Sequence, residues 1–292
     1  MGKVANVLFP ADYFDKKQPD GAMRVEYESA CADARLDVGL FDLESLEECG
    51  EVALTRPFLD ESLPLLYRGW MMKPESYAAF FDVLGAEGLR PITCSAAYEE
   101  FHMFPLACAR HKVLEAHAPL LVAFSGKSVD AEVVNRTFAE FMVKDFVKSV
   151  KGTSFPVCFK TPVSQGCMDK IVDEFCRLRG GLFTVSVICK ECVELARYGD
   201  ATNEWRAFYL KGALLCACRN SNQPATASKP PEALVLECAN LGSPYYTVDF
   251  AERADGSWIV VETGDGQVSG LATAQDPIAY FHALADAMSY RL

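Results

Sequence analysis

Apolar positions follow two rhythms along this chain. In the first third, short apolar runs alternate with helical periodicity. Val4 to Phe9 and Leu36 to Phe41 read as strands around a helix from Asp20 to Ala34, and Leu65 to Met71 is a third run. A helix from Pro74 to Gly88 starts with Pro near its first turn, a short strand Arg90 to Thr93 follows, and Ser95 can cap the next helix. Repeated β–α units predict a parallel sheet with helices packed on it. Met103 to Ala118 reads as mixed but helical, and Val129 to Glu140 as containing a helix. Beyond the middle, Phe141 starts a strand that runs into a polar loop ending at Ser154. Met168, Ile171, Val172, Phe175 and Leu178 mark a helix from Ser164 to Gly180, and Leu182 to Cys189 is a strand. Glu204 to Arg219 predicts a hairpin turning at Lys211-Gly212. Asn220 to Pro231 predicts a mobile surface loop or lid, and Glu232 to Leu241 a short helix. Pro277 to Tyr290 closes the chain as a helix with Ile278, Phe281, Leu284, Ala285 and Met288 on one face. The expected division is an N-terminal α/β domain over 1–120 and a second domain over 121–292, itself split into 121–195 and 196–292.

The stretch from Tyr245 to Gly270 carries the most chemistry. Two β-rich runs flank Asp255-Gly256, a strong hairpin signal. With those two as the central turn residues, Asp249 falls directly opposite Glu262. Opposed residues of an antiparallel pair share a face, with Cβ atoms roughly 4.5–5.5 Å apart. Val248, Phe250, Val260 and Val261 suggest a buried sheet, where two like charges are costly unless a cation lies between them. A hard divalent ion, Mg²⁺ above all, suits two carboxylates. A register slip of one residue would instead send them to opposite faces and leave a plain hairpin. The glycine-rich run Gly264 to Gly270 could let backbone approach a phosphate.

Charge narrows the partners. The chain has 292 residues, a net charge of −12 and a pI near 4.9. That balance argues against nucleic acid and membrane surfaces as partners, though not against a nucleotide site, which needs only local positive charge. No apolar run reaches transmembrane length, and the first residues lack a signal-peptide layout, so a cytoplasmic location is expected. The twelve cysteines are then expected to be reduced. Cys189-x-x-Cys192 and Cys216-x-Cys218 have metal-like spacing. They lie in apolar runs, however, and positions three apart on a strand point to opposite faces, so buried core thiols are expected rather than zinc.

Two basic features complete the candidate site. Lys144, Lys148 and Lys151 cluster beside a Gly-containing loop, an arrangement suited to phosphate oxygens, but the G-x-x-x-x-G-K-[ST] pattern is absent. Arg68, within Tyr67-Arg-Gly-Trp-Met71, stands at the end of a predicted parallel strand, where α/β sheets bind ligands. It could equally be stacked on Trp70 or Tyr67.

In their order, these elements resemble the ATP-grasp superfamily: a lysine-bearing strand and loop, a helix, a strand ending in Lys190-Glu-Cys-Val193, an Arg-bearing hairpin, then paired acidic strands. More closely, the chain is similar to a divergent bacterial branch related to the eukaryotic translation-initiation-factor assembly protein. The likeness rests on Tyr67–Met71, Lys144-Asp-Phe-Val-Lys-Ser149, Glu204-Trp-Arg-Ala-Phe208, Thr247-Val-Asp-Phe-Ala251 and Val261-Glu-Thr-Gly-Asp-Gly-Gln-Val-Ser-Gly270. The resemblance implies an N-terminal pre-ATP-grasp domain followed by an ATP-grasp domain with antiparallel sheets. It implies ATP between two subdomains, with Lys144, Lys148 and Arg206 on the phosphates and Glu191 and Val193 at the adenine edge. Asp249 and Glu262 would hold Mg²⁺. Where the superfamily has an Asn two residues after the second acid, this chain has Gly264, so Asp265 or Gln267 is expected to substitute as metal ligand. The implied activity is ATP-dependent ligation of a carboxylate and an amine through an acyl-phosphate, with Arg206, Lys144 and Arg68 as catalytic residues. Arg68 would grip the acceptor's carboxylate. The acceptor could be a peptide, a protein or an amino acid. A nucleotide-binding assembly chaperone and a phosphotransferase are the competing readings.

Overall fold

The computed structural model describes residues 2–150, 152–220 and 223–289. The lysine cluster's Lys151, Ser221 and Asn222 of the expected lid, and Tyr290 of the last helix lie outside the described residues.

The first sheet contains β1 (Ala5–Pro10), β2 (Leu36–Asp42), β3 (Ala53–Leu54), β4 (Pro64–Tyr67) and β5 (Arg90–Pro91), in the order β3-β2-β1-β4-β5. All pairs are parallel except β2 with the short edge strand β3. Between and after these strands come α1 (Arg24–Ala32), α2 (Leu43–Cys49), α3 (Pro74–Ala86), α4 (Ser95–His102), α5 (Phe104–Arg110) and α6 (Lys112–His117). Every residue of β1 is buried, because the central strand is covered on both faces. Val7 and Phe9 join one core, and Leu8 joins another with Tyr77, Phe80 and Tyr98 of α3 and α4.

A second sheet, ordered β6-β9-β7-β8, contains β6 (Leu121–Ala123), β7 (Glu140–Asp145), β8 (Phe159–Lys160) and β9 (Val187–Glu191), with α7 (Ala131–Thr137) and α8 (Gln165–Arg179) covering it. Ser164 caps α8 through the Cys167 amide, and Gly180 follows its last turn, as the sequence predicts. The strand expected from Leu182 begins only at Val187, after a 3₁₀ turn. Alternation sorts this sheet's faces. Phe141, Val143, Val187 and Cys189 enter the helix-covered core, which leaves Lys144 and Lys190 on the other face.

The third sheet, ordered β13-β12-β14-β15, is antiparallel and holds β12 (Glu204–Leu210), β13 (Ala213–Arg219), β14 (Tyr245–Glu252) and β15 (Trp258–Asp265). It follows a small ribbon of β10 (Arg197–Tyr198) and β11 (Ala201–Thr202). Lys211 and Gly212 both have positive φ at the β12–β13 turn, the backbone a tight hairpin needs. The helix α9 (Glu232–Glu237) lies against the back of the sheet, and α10 (Pro277–Ser289) ends the described chain. The segment read as a mobile lid is instead pinned where it is described. Gln223 and Ala227 are buried, and Ser228 binds Glu252 while Gln223 binds the Thr202 carbonyl.

The cores cross residue 120. Phe281, Leu284 and Ala285 of α10 pack with β1 and β2, whereas Phe101, Phe104 and Leu114 pack with Tyr246, Val248 and Phe250 of the third sheet. No helix among the described residues is long and apolar enough to cross a membrane.

Candidate active site

The site begins with register. Arg206 of β12 pairs with Asp249 of β14, and Asp249 pairs with Glu262 of β15, so three charged side chains stand in one row across three strands. The expected opposition of Asp249 and Glu262 is present, but by a different route. Glu252 pairs with Trp258, so the turn is the three-residue Ala254-Asp255-Gly256 with Gly256 at φ +84°. A bulge at Val261 then restores the register before Glu262.

Each acid has a cation. Arg206 grips Asp249 through two bonds of 2.8 and 2.7 Å and donates to the Gly270 carbonyl. Lys144, from the facing sheet, lies 3.1 Å from Glu262. Burial would raise the Glu262 carboxyl, yet Lys144, Lys148 and Lys190 hold it down at about 2. Lys190 was not anticipated as a site residue. Its ammonium donates to the Val261 carbonyl at 2.5 Å and lies 4.9 Å from the Phe104 ring. Burial, helped by Lys144, lowers it to about 7. The signal was available: a lysine in an apolar strand, two residues past Ile188, which pairs with Lys144.

In front of this row lies a cavity of about 170 Å³ walled by Lys148, Arg206, Asp249, Glu262, Thr247 and His102, among others. The acids therefore face open space as well as their basic partners. His102 is the second residue that sequence reasoning did not place here. It stacks on Tyr98, and burial, then Lys148, lowers its imidazole to about 4.

Five expected site residues stand elsewhere. Asp265 lies three residues past Glu262 on β15, so alternation turns it to the opposite face, fully buried. Its Oδ1 accepts from the Gln267 amide and Nε2, and burial lifts its carboxyl to about 7. Gln267 is fully buried too, bonded to Tyr77, Asp265 and the Tyr67 amide, so neither residue reaches the cavity to replace the missing Asn. Gly264 does face it, but a Cβ there would come within 2.6 Å of Ser269 Oγ and 2.8 Å of Thr247 Oγ1, leaving no room for a side chain. Arg68, expected to grip the acceptor's carboxylate, is outside the cavity wall. It is 2% exposed and its fork is filled by Glu26 and by the carbonyls of Gly266 and Ser269. It packs over Phe208 and Tyr280 rather than Trp70 or Tyr67. Glu191 accepts from the Leu120 amide, and neither it nor Val193 is in the cavity wall.

Among the described residues no three His, Cys, Asp or Glu side chains gather as a metal cage. Cys189 is buried in the core, while Cys192 is bonded to Cys158, which corrects the expectation that all thiols are reduced: the fold brings together two cysteines 34 residues apart. Two carboxylates in register facing a cavity still fit Mg²⁺, which commonly takes one or two carboxylates and fills its remaining positions with water and phosphate.

Comparison with known proteins agrees with this architecture. The model of an ATP-grasp domain family, family 3 of its clade, matches residues 132–284. Among solved structures, the chain is similar to a RimK domain ATP-grasp protein from Sphaerobacter thermophilus (16% identity, TM-score 0.61, 98% of this chain and 100% of that one). It is also similar to the D-cycloserine synthetase DcsG (15%, 0.60, 97% and 99%) and to the ATP-grasp ligase PsnB complexed with a minimal precursor, Mg and ADP (13%, 0.61, 98% and 99%). At these identities the likeness is one of fold. No curated protein matches the chain.

Proposed function

The chain belongs to this ATP-grasp domain family, and from that premise we propose that it is an ATP- and Mg²⁺-dependent carboxylate–amine ligase acting through an acyl-phosphate. The observation that carries this reading is the row Arg206–Asp249–Glu262, with Lys144 bonded to Glu262, Lys190 on the neighbouring Val261 carbonyl and Lys148 in the wall of the cavity in front of the acids. Phosphoryl transfer needs positioning and charge neutralisation rather than a side-chain nucleophile, and this cluster supplies both. Lys144 and Arg206 already bind oxyanions here. An arriving triphosphate offers them new ones, which frees Asp249 and Glu262 for a cation. Mg²⁺ held by those two acids would offset the charge on the phosphates. Lys148 and Lys190 add positive charge, with Glu191 and Val193 at the adenine edge. The lysine-bearing segment 121–195 and the acid-bearing segment 196–292 then form the two jaws around nucleotide, while 1–120 supplies His102 and Met71 to the acceptor side.

The DcsG and PsnB neighbours, a synthetase and a ligase complexed with a precursor, favour an amino acid or peptide as acceptor. The likeness to the eukaryotic assembly protein rests on sequence motifs and keeps a chaperone role open to the same assay. Incubation with ATP, Mg²⁺ and fractionated small molecules and peptides, followed by mass spectrometry, separates the cases. Stoichiometric ADP with a new amide-type mass is the expected result. ADP with a product one phosphoryl group heavier would mean a kinase, and nucleotide binding without turnover a chaperone.

A further inference from the structure

The twelve cysteines are not equivalent. Ten are free, and among the described residues Cys158 and Cys192 alone are brought together, with Cα atoms 6.2 Å apart, inside the range a disulfide requires. Their positions matter. Cys158 ends the loop that leaves β7 after Lys144, carries Lys148 and returns as β8. Cys192 directly follows Glu191 and precedes Val193. Its amide bonds the Glu140 carbonyl, which continues the β7–β9 pairing, and it stands two residues past Lys190, on the same face. The bond therefore ties the lysine loop to the expected adenine edge on the nucleotide-facing side of the second sheet.

We propose that Cys158 and Cys192 form a reversible thiol–disulfide site that controls nucleotide entry, the bonded form being the closed one. The inference rests on the nucleotide reading above. Its second support is the cavity. At about 170 Å³ it is smaller than the roughly 300–1,000 Å³ of sites that hold ligands of this size. Glu191 and Val193 are not among the residues that line it. Cys158 is exposed and Cys192 half-buried, so a small molecule can reach the pair. The chemistry balances with a low-molecular-weight disulfide as oxidant. The Cys158 thiolate attacks one sulfur of that disulfide and expels a thiolate. The Cys192 thiolate then attacks Cys158 in the mixed disulfide and expels the second. Two electrons pass from the protein's thiols to the oxidant, which leaves as two thiols, and excess thiol reverses both steps.

The test uses the full chain equilibrated in glutathione disulfide or in reduced glutathione. Peptide mapping after alkylation identifies the linkage, and calorimetry measures binding of a non-hydrolysable ATP analogue with Mg²⁺. The expected result is a Cys158–Cys192 link in the oxidised sample and at least tenfold weaker nucleotide binding than in the reduced one. Cys158→Ser should keep the reduced-form affinity in both buffers. The proposal is overturned if no such link forms, if linked and dithiol forms bind equally, or if Cys158→Ser loses affinity on oxidation as the wild type does. Equal binding sinks the clasp and spares the nucleotide site. Absence of binding in every form sinks both.

Discussion

Asp265 offers a test of how the glycine-rich loop is held. Its carboxyl is fully buried, accepts two bonds from Gln267 through Oδ1, and has no partner on Oδ2 among the described residues. Burial raises its pKa from 3.8 to about 7. The native protein thus keeps a proton that the unfolded chain gives up throughout that interval. Stability from this group is greatest below the unfolded value, falls as pH rises through the interval, and levels off above about 7. At about 1.4 kcal/mol per unit, the fall amounts to about 4 kcal/mol. Asp265→Asn removes the titration but keeps an oxygen for Gln267. Its NH₂ would replace the unpartnered Oδ2, a pH-independent cost of about 1–3 kcal/mol. Urea denaturation of both proteins across the pH interval isolates the effect, because all other groups cancel in the difference. The wild-type advantage should shrink steadily by several kcal/mol as pH rises, and the variant should become the more stable at the upper end. A difference that stays constant within about 1 kcal/mol would mean that Asp265 is ionised in the native state, and would refute the reasoning.

Arg68→Met should cost about 3–5 kcal/mol, because it leaves the Glu26 carboxylate and two loop carbonyls without their cation. Adding Glu26→Gln should recover part of that loss in urea titrations, and a single-variant loss below about 1 kcal/mol would contradict the buried role. Gly264→Asn should not restore the superfamily ligand. Its Cβ would collide with Thr247 and Ser269, so thermal melts should show a loss of about 1–3 kcal/mol; a variant as stable as wild type with tighter Mg²⁺-nucleotide binding would show that the loop has room.

Much of this arrangement is legible in the residues. Strand alternation and turn chemistry are local, so β7, the cap of α8, the Lys211-Gly212 turn and the acidic hairpin can be read directly. The opposition of Asp249 and Glu262 emerged from two compensating departures. The turn is one residue longer than Asp255-Gly256 implies, and the Val261 bulge adds one residue on the opposite strand. Nothing in an apolar run such as Ile259-Val-Val261 announces a bulge. Its carbonyl is taken by Lys190, a contact between two sheets. Roles that depend on long-range partners are the hardest to read from the chain. Arg68 looks available because Glu26, Gly266 and Ser269 are distant in sequence, whereas Asp265, three residues past Glu262 with no bulge between them, falls on the opposite face by simple alternation. The return of α10 to the first sheet is likewise invisible to periodicity, which shows that the helix has an apolar face and not what covers it.

The central claim is that Asp249 and Glu262 together carry a cation that holds a triphosphate. Calorimetry under reducing conditions, titrating a non-hydrolysable ATP analogue with Mg²⁺ or with chelator, tests it in wild type, Asp249→Asn and Glu262→Gln. The account predicts Mg²⁺-dependent binding in wild type, at least tenfold weaker in each variant, with circular dichroism unchanged. Wild-type affinity in both variants would contradict it.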